Sequence, residues 1–147
     1  RDPALADKTT TVGTPMRPGV LAAAAVPYDP PQPGGPLRLL AVGGSQGARV
    51  MSDIVPPAIE RLEPALWSRI VLTQQVREED MARVRAVYDR LKVNAELAPF
   101  FTDLPARLAQ NHLVVSRSGA GTVAELAAIG RPSPILAVPI GGGITGR

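Results

Sequence analysis

The chain has no cysteine, one histidine and five aromatic residues among its 147. Without cysteine there can be no disulfide, no thiolate metal site and no cysteine nucleophile. A reducing cytoplasm is compatible with that composition. A single histidine, His112, with no clustered acids argues against a zinc site, and no Ser-His-Asp set is discernible. The aromatics (Tyr28, Trp67, Tyr88, Phe100 and Phe101) are too few for a base-stacking platform. Sixteen Lys and Arg against thirteen Asp and Glu give a net charge of +3, but the basic residues are scattered and never occur three in a row. Nucleic acid is therefore not an expected partner. That charge is compatible with an anionic ligand or an acidic lipid surface. No apolar run approaches the ~18 residues of a membrane span, and no signal-peptide pattern opens the chain.

What remains is an aliphatic, one-domain length of chain in the ordinary globular range, 45% apolar and 20% charged. Such a composition suits a buried parallel sheet covered by helices. Residues 1–36 are proline-rich and read as an interdomain linker and lead-in segment, with a short strand at Thr9–Val12 and a stiff loop at Pro30–Pro36. From residue 37 strands alternate with helices. Strands are expected at Leu37–Val42, Arg69–Thr73, Lys92–Ala98, His112–Ser116 and Ile135–Val138. Helices are expected at Ala48–Leu62, Glu78–Leu91, Leu104–Gln110 and from Ser118 to about Ile129, with Gly130 as a stop. Pro56-Pro57 should kink or restart the first of these helices. Strands separated by single helices pair in parallel through right-handed crossovers, which gives a doubly wound α/β sheet. The glycine-rich ending, Gly141 to Arg147, and the start at Arg1 both read as boundaries of a piece of something longer.

In such a sheet, ligands bind at the carboxyl ends of the strands. Three loops fall there: Gly43–Gly47, Pro99–Asp103 and Ser116–Thr122. The Gly43-Gly44-Ser45-Gln46-Gly47 turn follows a strand and precedes a helix, the order that builds a phosphate cradle from free N–H groups and the helix dipole. The same order also serves simply to pack a helix on a sheet. Arg117, at the second such junction, can pair with a phosphate or carboxylate, or tie loops together. Ser118 is a candidate N-cap. Glu125, one turn inside the helix, suits a ribose diol or, more plainly, the helix dipole. His112 opens a buried strand and is read as a packed residue rather than a base. Asp103, at a helix start, is read as an N-cap rather than a base.

Three ordered segments carry a resemblance: Val42–Arg49, Phe100–Leu104 and Ser116–Leu126. Together they closely resemble the C-terminal half of the MurG family of N-acetylglucosaminyltransferases, glycosyltransferase family 28. Val12–Arg17 resembles the segment that leads into that half, and the likeness runs from about residue 5 to residue 139. The resemblance implies a Rossmann-like C-terminal domain of a two-domain GT-B transferase, truncated at both ends, with residues 37–139 holding UDP-N-acetylglucosamine. It implies an inverting transfer to a lipid-linked muramoyl-pentapeptide acceptor (lipid I), giving lipid II for peptidoglycan, with no metal and no cofactor. By position, Gly44, Ser45, Gln46 and Gly47 would contact the diphosphate, and Arg17 would stand near it. Phe101 would present its backbone to the uracil edge, with Leu104 beside the nucleotide; Arg117 lies at the same edge of the sheet. Gly121 and Thr122 would lie at the phosphates or ribose, and Glu125 would bind the ribose hydroxyls. A peripheral place on the cytoplasmic face of the bacterial inner membrane is implied as well.

The chain departs from that family in three ways. Thr14 stands where an Asn is usual. After Pro139 the sugar-binding glutamines are replaced by Ile140–Arg147, a divergent or truncated tail. The acceptor domain, with the expected base, has no counterpart here, so no catalytic residue is assigned and the isolated chain is expected to be inactive. Another UDP-sugar GT-B enzyme (a glycolipid transferase or an epimerase) and an inert nucleotide-binding fragment are the alternative readings.

Overall fold

A computed structural model describes Thr10 and residues 13–136 of the chain. The apolar run Leu37–Val42 forms β1, whose residues alternate between two cores: Leu40 and Val42 face one, Ala41 the other. After it come helices α2 (Gly44–Glu60) and α3 (Pro64–Trp67), strand β2 (Ile70–Gln75), helix α4 (Glu78–Leu91) and strand β3 (Asn94–Ala98). Helix α5 (Leu104–Gln110), strand β4 (Leu113–Arg117), helix α6 (Ala120–Ile129) and the short strand β5 (Ile135–Leu136) complete the described order. A further helix, α1 (Pro18–Ala24), precedes β1.

The strands line up as β3-β2-β1-β4-β5, every neighbouring pair parallel, as the doubly wound reading expected. Helices α2 and α4 close one face over Met51, Val55, Ile70, Leu72, Val84 and Tyr88. On the other face α1, α5 and α6 close over Val20, Leu40, Leu108, Val114, Leu126 and Ile129. Burying the aliphatic side chains among these contributes roughly 1.5–3 kcal/mol apiece before the entropy of ordering is set against it.

Several boundaries differ from the sequence reading, each for a physical reason. The Ala-rich stretch inside the expected linker is α1. Pro18 stands at its first position, where the missing N–H costs nothing, and Val20 and Ala23 are buried. Helix α2 begins at Gly44 rather than Ala48, because a single left-handed residue, Gly44 at φ +68°, completes the reversal from β1. It also continues through Pro56 and Pro57 as one element. Ser52 O, four residues before Pro56, has lost its usual donor and accepts instead from Arg83 Nη1 at 3.4 Å. Strand β3 starts at Asn94 because Lys92 takes the left-handed C-cap of α4, at φ 56°. Helix α3 has no counterpart among the expected elements; it positions Trp67, whose Nε1 donates to Ile59 O at the end of α2. Gly130 ends α6 at φ 69°, as a helix stop should. The strand expected at Thr9–Val12, apart from Thr10, the residues Ala137 and Val138 of the last strand, and the 140–147 tail lie outside the described residues.

Candidate functional site

Strand β1 lies between β2 and β4, and the chain leaves β1 and β4 towards opposite faces: α2 goes to one, α6 to the other. This is the switch point at which a doubly wound sheet opens a crevice. Val42 and Ser116 pair in register, so the two strand ends are level. Neither helix is capped by its own cap residue, since Gly43 and Gly119 stand at the cap positions. Ser118, the candidate cap, stands one residue outside the cap position, which Gly119 takes. Two helix N-termini side by side combine first-turn N–H groups that the helices themselves do not satisfy with the positive ends of two helix dipoles.

At α2, the first of those N–H groups are already engaged. Gln75 Oε1 accepts from Gly43 N–H at 3.4 Å and from Gly44 N–H at 3.1 Å. Its Nε2 donates to Pro99 O at 3.1 Å. Helical geometry leaves the N–H groups of Ser45 and Gln46 with no acceptor inside α2. Gln75 gave no local signal in the sequence, since its partners are 24 to 32 residues away.

The Pro99–Asp103 loop crosses the carboxyl edge of the sheet to reach α5 on the opposite face. Phe101 is buried there beneath the Arg107 guanidinium, 4.5 Å from the ring centroid, while Phe100 stays 71% exposed. Arg107 also pairs with Asp103 (Nε–Oδ1 2.8 Å) and Glu96 (Nη1–Oε2 2.7 Å). Asp103 occupies the α5 cap position without capping it. Its hydrogen bond from Arg107 holds its carboxyl below the usual range, so it is an ionised structural partner. Leu104 is half-buried against the core of α1, α5 and α6.

The structure brings Arg17 and Glu125 into direct contact. Arg17 Nη2 and Nε both donate to Glu125 Oε1, at 2.6 and 3.1 Å. The carboxylate is 16% exposed and the guanidinium side 64%, so the acid is set into the wall and the base lies over it. Thr122 is half-buried and Gly121 exposed on the first turn of α6. Arg117 ends β4 half-buried, with no ion pair among the described residues. Beside it the Ser116 hydroxyl is buried without a hydrogen-bond partner among them. Of Ser45, Gln46 and Gly47 only the helical backbone is described.

His112 lies at the opposite, amino end of β4. Its Nδ1 accepts from Arg38 N–H at 3.1 Å, and burial, with Arg38 nearby, holds its pKa below the ordinary value. It is a packed residue remote from the crevice, in line with the sequence reading. Arg131 is a buried cation that went unnoticed in the sequence. It donates to Ala109 O, Ile129 O, Val26 O and Pro27 O, and stacks on Tyr28 at 5.4 Å. No group of three or more His, Cys, Asp or Glu among the described residues is arranged to hold a metal ion.

The glycosyltransferase family 28 C-terminal domain matches residues 38–142. The chain belongs to this family. Among curated relatives, the UDP-N-acetylglucosamine–N-acetylmuramyl-(pentapeptide) pyrophosphoryl-undecaprenol N-acetylglucosamine transferase of Bradyrhizobium sp. (strain BTAi1) is 83% identical over 139 residues. The enzyme of the same name from Nitrobacter hamburgensis is 70% identical over the same length. Each comparison covers 95% of this chain and 38% of the relative, so the chain spans well under half of the proteins it matches. Among solved structures, MurG of Acinetobacter baumannii superposes with a TM-score of 0.64 at 29% identity, over 78% of this chain and 33% of that one. The switch-point crevice of this family 28 domain therefore sits in a fold shared with a MurG structure.

Proposed function

We propose that the chain is the donor-nucleotide half of an inverting N-acetylglucosaminyltransferase that converts lipid I to lipid II. The observation that carries this is the pairing of two glycine-started helix N-termini at the switch point with a recessed carboxylate, Glu125, on the second. Its support from outside the chain is the name and 70–83% identity of the relatives. A diphosphate would lie across the Ser45 and Gln46 N–H groups and the start of α6 at Gly121 and Thr122, with Gly47 behind and Arg117 at its flank. Glu125 would accept from the ribose hydroxyls, Arg17 would reach the phosphates, and the Phe101 backbone would meet the uracil edge, with Leu104 alongside. The two helix ends then stabilise the negative charge that develops on departing UDP while an acceptor hydroxyl attacks the anomeric carbon. That hydroxyl, the lipid carrying it and the base that deprotonates it would come from outside residues 37–139. With an undecaprenyl acceptor, the work would be done at the inner face of the bacterial plasma membrane, by peripheral contact.

Isothermal titration of the chain with UDP, UDP-N-acetylglucosamine and UTP tests the reading. Saturable one-to-one binding of the two UDP ligands is expected. Absence of heat with UDP at millimolar concentration would refute it.

A further inference from the structure

We propose that Gln75 is a positioning residue that fixes the spacing between the phosphate-binding and base-binding halves of the nucleotide site. The inference rests on the donor-nucleotide reading and adds a residue to it. A single side chain, 9% exposed, joins the two loops that would grip opposite ends of a nucleoside diphosphate. Its Oε1 holds the Gly43 and Gly44 N–H groups on the phosphate side, and its Nε2 holds Pro99 O on the base side. The strand beneath is anchored as well: Gln75 pairs with Ala98 in register, and Val76 N–H donates to Ala98 O at 3.0 Å. The bridge is therefore built on sheet rather than on loop, the arrangement that holds a ligand's two contact sets at one separation before it arrives.

The amide chemistry is selective. Two N–H donors at the positive end of a helix would be satisfied better electrostatically by a carboxylate. A carboxylate there would repel both Pro99 O and an incoming diphosphate. A glutamine accepts from the turn, donates to the carbonyl and adds no charge. By engaging the first two N–H groups of α2 it also leaves the next two, those of Ser45 and Gln46, as the donors open to a ligand.

The test uses the 147-residue chain and UDP, with calorimetric titration at pH 8 and pH 5.5 and a thermal melt of each variant. The wild type measured at both pH values cancels the titration of UDP itself. Gln75→Ala should weaken UDP binding about tenfold or more at both pH values. Gln75→Glu should weaken it further at both pH values, because a carboxylate that accepts from two N–H groups at a helix N-terminus stays ionised even at pH 5.5 and has no proton to donate to Pro99 O. A residue that matters only for folding would lower the melting temperature and leave the affinity of the folded variant unchanged. Wild-type affinity in folded variants at both pH values overturns the proposal while leaving the donor site standing. Failure of the wild type to bind UDP overturns the donor reading, and this inference with it. If neither variant folds, NMR of the wild type decides. Gly43 and Gly44 amides that stay protected from exchange through UDP saturation support the bridge, and amides that exchange freely in the unliganded chain overturn it.

Discussion

Replacing Glu125 with Ala separates two roles that its geometry combines. Both Arg17 donors fall on Oε1, leaving Oε2 with no protein donor among the described residues. For folding, the loss is that of an ion pair whose cationic half is largely exposed, about 0.5–1 kcal/mol and smaller in high salt. For UDP, the loss is a hydrogen bond from a ribose hydroxyl to a charged acceptor, in the range of about 1.5–3 kcal/mol. Arg17 already draws charge towards Oε1, so the lower half of that range applies, about 12- to 45-fold in dissociation constant. Titration calorimetry reads the second effect and urea denaturation the first. Glu125→Gln should fall between wild type and Ala in both, since it keeps an acceptor and loses the charge. If Glu125→Ala costs the expected stability and binds UDP as tightly as wild type, Glu125 is only a strut for Arg17.

Three further outcomes follow from the packing. His112 has its folded pKa held below the unfolded value near 6.5. The unfolded chain therefore takes the proton first, and stability is retained above that value and lost as pH falls through it. Melts between pH 7.5 and 5 should show this, and His112→Gln should flatten the dependence; an unchanged slope would point to other groups. Arg131→Ala strips donors from four backbone carbonyls and should cost about 2–4 kcal/mol in denaturant unfolding. Arg131→Lys should recover less than half, because an ammonium cannot reproduce the planar fork; full recovery would contradict that account. Lys92→Gly relieves a left-handed C-cap and should raise stability by about 0.5–1 kcal/mol in the same assay, whereas a loss would show that the Lys side chain matters more than its φ.

Where the sequence was legible, the information was local. Helices α4 and α5 appear with the expected bounds because apolar spacing, an acidic first turn and Pro105 all lie within the segments themselves. The sheet order follows from strand–helix alternation and crossover handedness. What was hidden depends on residues far apart. Helix α1 carries only two buried positions, Val20 and Ala23, in a stretch dominated by turn residues, and its burial requires α5 and α6. Pro56-Pro57 reads as a break until Arg83, on another helix, supplies the donor that Ser52 O lacks. The glycine turn and Glu125 stood out by spacing. That Arg17 would meet Glu125, and that Gln75 would hold the turn, depended on separations no local pattern encodes.

The Arg17–Glu125 contact joins positions 108 apart, with α1 at one end and α6 at the other. A ribosome adding about 5–20 residues per second takes roughly 5–20 s to cover that distance. During that interval β1, β2 and β3 can assemble with α2 and α4, while Val20 and Ala23 still lack part of their core, which Leu126 and Ile129 of α6 complete. The proline-rich segment before β1 then acts as a stiff tether that keeps a nascent helix near the growing sheet without committing it. Closure of the second face waits for translation to reach α6. Among the described helices, the first to be made is fully packed only once the last has been added.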